Sequence, residues 1–449
     1  MSIIMKAHLT SIFFLAVFSA TVSAETKPKP LLPPRTEPRT FPGTAPRTAP
    51  GAASVAKTTA GDWSQFRGPD RSDVSKETGL LKQWPASGPK KVWMSDKGGL
   101  GYSGFSIVGG TLFTMGARDS AEFVIALDAA TGAEKWSAEI GKLLENNWGN
   151  GPRATPAIDG DRVYAMSGQG SLACLSAKDG KLVWKAEMGS FGGKVPGWGY
   201  TESVLVDGNN VICTPGGGQG TLLALDKMTG KKNWQSAEWT DGAQYASAIP
   251  IDHNGKREYV QLTMQHFAGV DAMSGKVSWS VPFGGKTAVI PTPIFKDGQV
   301  YVVAGYGVGC KSVKLGSSAE PEFLYENQNM VNHHGGVILV GDNLYGHADP
   351  GWVCQDFKTG ESVWKYDRFG KGAVTYADGM LYCLEEGSGT VALVEASPKG
   401  WQEHGRFKLD PQTKIRNPQG RVWTHPVVSN GKLYLRDQDL IYCYDIKKS

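Results

Sequence analysis

A repeated eleven-residue pattern constrains the fold of this chain more than any other feature. Each copy ends on tryptophan and contains a Thr-Gly, Ser-Gly or Asp-Gly turn. The clear copies are ALDAATGAEKW (126–136), CLSAKDGKLVW (174–184), ALDKMTGKKNW (224–234), GVDAMSGKVSW (269–279) and CQDFKTGESVW (354–364). The gap before the last copy is long enough for two units. Such a period is typical of a repeat architecture.

Each copy predicts a β-hairpin. Two short runs of alternating apolar residues flank the turn, and a turn glycine such as Gly132 adopts positive φ without a Cβ clash. An aspartate before the turn, such as Asp128, accepts hydrogen bonds from the turn backbone. A second pair of strands lies upstream, for example in TPAIDGDRVYAMSG (155–168). Four strands per unit make a propeller blade.

The number of units predicts a closed ring. Closing positions fall at 93, 136, 184, 234, 279, about 325, 364 and about 407. The final unit (424–446) supplies three strands, and the segment KKVWMSD around Trp93 supplies the fourth. We therefore predict an all-β protein, an eight-bladed β-propeller of four-stranded antiparallel blades whose ring is closed by an N-terminal strand. A solenoid is the alternative, but it does not need a divided unit.

These repeats resemble the pyrroloquinoline-quinone (PQQ) propeller repeat family, over residues 62–449. The segment WSQFRGPDR (63–71) is also similar to the start of secreted PQQ-like propellers. The family includes quinoprotein alcohol dehydrogenases and a propeller lipoprotein of outer-membrane barrel assembly. The resemblance therefore implies the fold and leaves the activity open.

The N-terminal region predicts export. Residues 1–24 combine Lys6, a short apolar core and a Val-Ser-Ala cleavage site, which indicates a signal peptide. A membrane anchor is the alternative, but the apolar core is too short to span a bilayer. Residues 25–60 are rich in proline and predict a disordered tether. The expected organisation is a signal peptide, a tether and a propeller over 61–449, periplasmic or secreted, with no transmembrane segment after signal removal.

Charge and cysteine usage exclude several classes of function. The net charge of +4 comes from Lys6 and the tether, which leaves the propeller near −1 and argues against a nucleic-acid partner. The cysteines fall on separate blades, so we expect buried free thiols rather than disulfides. No metal-ligand spacing and no haem-attachment motif occur. The six cysteines are Cys174, Cys213, Cys310, Cys354, Cys383 and Cys443.

A binding site is expected at the channel mouth, where the loops between blades meet. Counting back from the turn glycines places Gly104, Ala154, Glu202, Thr292 and His425 at the starts of first strands. Tryptophan and tyrosine suit a planar ligand, arginine suits a carboxylate, and Glu202 suits a cation or a general base. The candidate ligand-binding residues are Trp148, Asn150, Arg153, Trp198, Tyr200, Glu202, Tyr245, His333, His334, Arg421, Trp423 and His425.

A purely structural role is the alternative for each candidate. Aromatic and arginine side chains also seal neighbouring blades, and adjacent His333 and His334 point to opposite faces if they lie on a strand. The glycine-rich loop AGYGVG (304–309) is interpreted as a tight turn. Glu385 and Glu386 form a paired carboxylate or, equally, two solvated turn residues.

Two functions follow. The first is a scaffold in the cell envelope that binds a small molecule or an envelope protein at the propeller mouth, without a covalent cofactor. The alternative is a PQQ-dependent dehydrogenase that oxidises an alcohol or sugar. The resemblance implies a quinone with calcium for that enzyme, and Glu202 is its candidate catalytic residue. The chain lacks the adjacent cysteine pair of many such enzymes, so we favour the scaffold.

Overall fold

A computed structural model describes residues 61–318 and 320–448. The predicted signal peptide and tether lie outside these residues. The described residues form antiparallel β-sheets, with one short 3-10 helix at Met188–Phe191. No helix within these ranges is long and apolar enough to cross a membrane.

The sheets are arranged as successive four-stranded blades. Two strands, β1 (Val74–Ser75) and β2 (Lys90–Ser95), precede the first complete blade. Blade 1 contains β3 (Ser106–Val108), β4 (Thr111–Arg118), β5 (Ala121–Asp128) and β6 (Glu134–Lys142), and blade 2 contains β7 (Ala157–Asp159), β8 (Arg162–Met166), β9 (Ser171–Ser176) and β10 (Leu182–Glu187). Blade 3 contains β11 (Leu205–Asp207), β12 (Asn210–Cys213), β13 (Leu223–Asp226) and β14 (Lys232–Gln235). Blade 4 contains β15 (Ile249–His253), β16 (Lys256–Leu262), β17 (His266–Asp271) and β18 (Val277–Pro282).

The second half of the ring repeats this order. Blade 5 contains β19 (Ile294–Lys296), β20 (Gln299–Ala304), β21 (Gly309–Lys314) and β22 (Glu322–Asn327), and blade 6 contains β23 (Val337–Val340), β24 (Asn343–Ala348), β25 (Gly351–Asp356) and β26 (Ser362–Tyr366). Blade 7 contains β27 (Gly372–Ala377), β28 (Met380–Glu385), β29 (Thr390–Glu395) and β30 (Glu403–Lys408). Blade 8 contains β31 (Val427–Ser429), β32 (Lys432–Asp437) and β33 (Leu440–Asp445), together with β2. The predicted eight-bladed propeller is confirmed.

Strand β2 supplies the missing strand of blade 8. It pairs antiparallel with β33, and Trp93 lies opposite Cys443. The predicted closing positions all fall on fourth strands, including Tyr325 on β22 and Phe407 on β30. The split blade is therefore confirmed, and the first and last segments of the propeller are hydrogen-bonded to each other.

Most of the closing aromatic residues join neighbouring blades. Trp93 donates its indole N–H to the carbonyl of Ala129 in blade 1, at 3.1 Å, and its ring covers Gly132. Gly132 has a φ of +73°, and a Cβ built there would lie 2.6 Å from ring carbon Cε3 of Trp93. The turn needs glycine for both reasons. The same pairing joins Trp136 to Gly180, Trp184 to Gly230, Trp234 to Gly275 and Tyr325 to Gly360.

The core lies between the blades, where alternate strand residues meet. All six cysteines are buried there as free thiols, as predicted. One charged residue, Arg436, lies fully buried between blades 8 and 1. Its guanidinium donates to the carbonyls of Ser103 and Met115 in or near blade 1, and to those of Gly98 and Gly99. These bonds further stabilise the junction where the ring closes.

The segment from Trp63 to Ser75, here called the plug, crosses the central channel. Its backbone bonds Ile107 of blade 1 and Ile158 of blade 2. Arg71 donates to the carbonyls of Ser203 and Val204 beside blade 3, and Arg67 donates to the carbonyl of Val337 in blade 6. Strand β1 then pairs in parallel with β27, the first strand of blade 7. The plug thus contacts first strands on opposite sides of the ring.

Candidate functional site

The starts of the first strands of blades 1 to 4 are joined by a row of hydrogen bonds at the channel mouth. The N–H of Gly104 donates to the hydroxyl of Thr155, that of Thr155 donates to Ser203, and that of Ser203 donates to Ser247. Each member lies two residues before the first strand of its blade. Because each hydroxyl comes from the next blade, these bonds fix the relative positions of the loops of these four blades.

A cavity of about 230 Å³ lies at this mouth. The plug forms its floor, and the loops between blades form its wall. Its lining is mostly apolar and includes nine Trp, Tyr and Phe residues, together with several polar groups. The lining includes Trp63, Phe66, Arg67, Asp73, Tyr102, Gly104, Trp148, Arg153, Thr155, Trp198, Thr201, Tyr245, Ser247, Thr292, Tyr306, His333, His334, Trp423 and His425.

The structure brings eight of the predicted ligand-binding residues together in this cavity. They are Trp148, Arg153, Trp198, Tyr245, His333, His334, Trp423 and His425. Three others lie outside its lining. The Asn150 side chain accepts a bond from the backbone of its own loop, the Tyr200 hydroxyl donates to the carbonyl of Pro215, and Arg421 is exposed and donates to its own loop.

Glu202, the candidate catalytic residue, is buried away from the cavity. Its oxygens accept bonds from the backbone and hydroxyl of Thr214 and from the amide of Gln261. Burial raises the pKa of Glu202 to about 7. The neighbouring residue Thr201 lines the cavity instead. This geometry gives Glu202 a structural role between blades.

Arg153 is a cation that lines the cavity and, among the described residues, forms no ion pair with a carboxylate. Its guanidinium donates to the carbonyls of Gly151 and Gly149 at 2.7 and 2.8 Å, and it lies 5.3 Å from the ring centre of Tyr102. Burial lowers its pKa, although the side chain keeps a face on the cavity. Among the described residues no carboxylate lies within ion-pairing distance of it, although the more distant Glu122 acts on it electrostatically. A half-buried cation of this kind favours an anionic ligand.

Two groups of aromatic rings flank Arg153. Tyr102 and Trp423 lie 4.9 Å apart between ring centres, and Trp148 lies 6.4 Å from Trp423. On the other side Trp198 meets Tyr245 edge to face, at 5.6 Å. The Trp148 side chain is 44% exposed and stands at the rim. The rings offer apolar faces to a flat ligand.

The two charged plug residues that line the cavity, Arg67 and Asp73, are paired with each other. The Asp73 carboxylate lies 2.8 Å from Nε of Arg67 and 3.0 Å from Nδ1 of His425. The other ring nitrogen of His425 lies 3.0 Å from the carbonyl oxygen of His334. The Arg67 guanidinium balances the charge of the Asp73 carboxylate. This cluster therefore adds no free negative charge to the cavity floor.

A chain of four side chains reaches the cavity from blade 7. Glu386 lies 2.9 Å from Nε2 of His334, the Nδ1 atoms of His334 and His333 are 3.1 Å apart, and Nε2 of His333 lies 2.5 Å from the Tyr306 hydroxyl. Trp423 donates its indole N–H to Glu386 at 2.9 Å. The histidines lie on a bend rather than a strand, so they do not point to opposite faces.

The family comparison agrees with this architecture. The sequence profile of the PQQ-repeat family described as outer membrane protein assembly factor BamB matches residues 120–366, more than half of the chain. The chain belongs to this family. The resemblance inferred from the repeats is thus confirmed.

Two curated relatives of this PQQ-repeat protein are described as different kinds of protein, an assembly factor and a protein kinase. The outer membrane protein assembly factor BamB of Yersinia pestis is 25% identical over 253 residues, which are 52% of this chain and 61% of the relative. The serine/threonine-protein kinase AfsK of Streptomyces griseus is 32% identical over 175 residues, which are 37% of this chain and 20% of the kinase. The matches span less than two thirds of either relative.

Solved structures show the same fold. BamB from Moraxella catarrhalis superposes with a TM-score of 0.58 at 17% identity, over 80% of this chain and 98% of that one. The quinohemoprotein alcohol dehydrogenase from Comamonas testosteroni gives 0.60 at 11% identity, over 88% and 82%. At such identities the likeness establishes the propeller and not the activity.

The cavity does not fit a calcium-bound quinone. Of its neighbouring carboxylates, Asp73 is paired with Arg67 and His425, and Glu386 contacts His334. Calcium takes six to eight oxygen ligands, several of them carboxylates. No group of three or more His, Cys, Asp or Glu side chains in the described part of the chain has a metal-binding arrangement. The donor set instead suits an organic anion without a metal.

The cavity also contains residues from outside the blade-to-blade loops, and these were not among the predicted site residues. Phe66, Arg67 and Asp73 belong to the plug. The sequence feature that marks the plug is the segment WSQFRGPDR (63–71), which is not part of any blade. Tyr306 lies in the loop interpreted as a tight turn. Glu386 is not a solvated turn residue, because its side chain is only 16% exposed and contacts His334.

Proposed function

We propose that this protein is an exported propeller that binds a small anionic ligand with a flat or ring-shaped body in the mouth cavity. The observation that carries the proposal is Arg153, a largely desolvated guanidinium that forms no ion pair within the described residues and lies beside two groups of aromatic rings. A carboxylate on the ligand would compensate the desolvated charge, and the rings would cover its apolar body.

The size of the cavity supports a small ligand. Its volume of about 230 Å³ lies below the roughly 300 Å³ at which pockets for drug-sized ligands begin. The plug closes its floor, so the ligand would enter from the mouth. We place this binding in the cell envelope, in line with the predicted signal peptide and with the description of the family.

A protein partner is the second candidate. The exposed Trp148 at the rim favours it, because a large aromatic side chain left in water at a concave surface is typical of contact sites. The BamB relative from Yersinia pestis is described as an outer membrane protein assembly factor. A partner that inserts an acidic side chain would use the same cavity and the same arginine.

Ligand titration of the full-length exported protein tests the proposal. Tryptophan fluorescence would be followed with benzoate against benzamide, glucuronate against glucose, and PQQ with and without calcium. We expect the anions to bind and the neutral counterparts to bind at least tenfold more weakly. Equal binding of neutral and anionic probes, or no binding of any anion, would overturn the proposal. Calcium-dependent quinone binding with turnover would support the dehydrogenase instead.

A matched pair of arginine variants locates the site. Arg153→Gln should weaken anion binding about 10- to 100-fold, which corresponds to about 1.5–3 kcal/mol for a hydrogen bond to a charged group. Arg421→Gln removes an exposed arginine outside the cavity lining and should leave binding unchanged. Equal effects of the two substitutions would place the anion elsewhere.

A further inference from the structure

The side chains of Glu386, His334, His333 and Tyr306 form a continuous polar chain. Its outer end is the Glu386 carboxylate, 16% exposed, which lies 3.8 Å from Nζ of Lys371 and accepts the Trp423 N–H. Its inner end is the Tyr306 hydroxyl, which lines the cavity and has no second hydrogen-bond partner among the described residues. The Tyr306 side chain is 40% exposed. The inner end is therefore open to a ligand.

The ionised outer end sets the direction of every hydrogen bond in the chain. A carboxylate only accepts, so it favours a proton on Nε2 of His334, which leaves Nδ1 of that ring as an acceptor. Nδ1 of His333 must then donate, and its Nε2 must accept from the Tyr306 hydroxyl. The contact between Glu386 and His334 is short but poorly aligned, so its effect on the tautomer is electrostatic.

The pKa directions agree with this arrangement. Burial alone raises the pKa of Glu386, but His334, Lys371 and the Trp423 N–H outweigh it and lower that pKa to about 2. Burial lowers the pKa of His333 to about 3 and raises the pKa of Tyr306. With a carboxylate at one end and neutral rings between, the chain is a poor base for a ligand proton. It is an orienting device rather than an acid–base catalyst.

The backbone holds Tyr306 at the cavity. Tyr306 has a φ of +58°, a left-handed conformation that is rare for a bulky side chain, between two glycines of the β20–β21 turn. Its ring meets His333 edge to face, at 4.7 Å between ring centres. A strained backbone conformation of this kind persists only where contacts with the surrounding structure hold it in place, and it is frequent at binding sites.

We propose that Tyr306 is a specificity residue whose hydroxyl oxygen accepts a hydrogen bond from an O–H or N–H group of the ligand. This inference rests on the proposed function, since it describes the same cavity. His333, His334 and Glu386 are positioning residues. Their hydrogen bonds keep the Tyr306 hydroxyl donating to Nε2 of His333, which leaves its oxygen free to accept. The ligand would then be a ring-shaped anion that also carries a hydrogen-bond donor, such as an aromatic hydroxy acid or a sugar acid.

Histidine tautomers test the chain without any ligand. In the full-length protein labelled with ¹⁵N-histidine, we expect His333 to be the Nδ1–H tautomer and His334 to be the Nε2–H tautomer, with His333→Gln used for assignment. A His333 ring protonated on Nε2 would overturn the inference even if anions bind. Because this readout needs no ligand, its failure is distinct from failure of the proposed function.

Ligand preference tests the role of Tyr306. Wild-type protein should bind hydroxybenzoates roughly tenfold more tightly than methoxybenzoates, which lack the donor. Tyr306→Phe should abolish this preference while benzoate binding is retained, and Tyr366→Phe, a tyrosine outside the cavity lining, should preserve it. A Tyr306→Phe variant that keeps the preference would refute the inference.

The Glu386→Gln variant gives a second, directional test. A glutamine amide can donate to His334, which allows every hydrogen bond of the chain to reverse and makes the Tyr306 hydroxyl a donor toward the cavity. The preference for hydroxybenzoates over methoxybenzoates should then decrease or invert, and the His333 tautomer should change. A variant that is folded by circular dichroism and shows neither change would contradict the proposed role of Glu386.

Discussion

The contact between Gly132 and Trp93 offers a quantitative test of how the ring is closed. Both Gly132 and Gly110 lie in turns of blade 1 with a φ of +73°. A Cβ on Gly110 meets nothing within 4 Å, whereas one on Gly132 would lie 2.6 Å from Trp93. Alanine at either position costs about 1–2 kcal/mol for the left-handed backbone. At Gly132 overpacking adds about 1–3 kcal/mol.

We therefore expect Gly132→Ala to lower the free energy of unfolding by about 2–5 kcal/mol, and Gly110→Ala by about 1–2 kcal/mol. Urea unfolding followed by fluorescence would measure both midpoints. In a Trp93→Ala background the excess cost at Gly132 should disappear, because the ring that the Cβ meets is gone. Equal effects of the two alanines in the wild-type background would refute the packing argument.

Three further predictions concern buried groups. Arg436→Met should lower the free energy of unfolding by about 3 kcal/mol in urea titrations, since carbonyls at the junction of blades 8 and 1 lose their donor; a variant as stable as wild type would refute this. The pKa of Glu202 is raised from 4.5 to about 7 on folding, so the folded state holds the extra proton and stability falls as pH rises through this range. Glu202→Gln should remove about 3 kcal/mol of that pH dependence, measured by unfolding at pH 5 and pH 8. The six cysteines should react with a thiol reagent only after denaturation, and rapid native labelling would contradict their burial.

The mouth cavity shows where prediction from the sequence loses accuracy. Counting from the turn glycines located the loops correctly, and eight of the twelve candidates line one cavity. At the starts of the first strands the count was one residue early in blade 2, where Thr155 rather than Ala154 lines the cavity, and one residue late in blade 3, where Thr201 rather than Glu202 does. Successive residues of extended chain point to opposite sides, so an error of one residue exchanges a cavity side chain for a buried one.

Local sequence patterns are sufficient to predict the ring. The spacing of the tryptophans, the turn glycines and the split final unit are local patterns, and each one acts between neighbouring strands or blades. For that reason periodicity alone predicted the blades, the closing strand and the buried cysteines.

The plug and the mouth cavity inside the ring depend on the tertiary structure. The plug meets blades 1 and 7 although these are far apart in the chain, and the cavity combines Asp73 of the plug with Tyr306 of blade 5 and His425 before blade 8. No local pattern links these positions. Their proximity follows from closure of the ring, which brings loops from seven of the eight blades to one mouth and places Arg153 there without an ion-pair partner among the described residues.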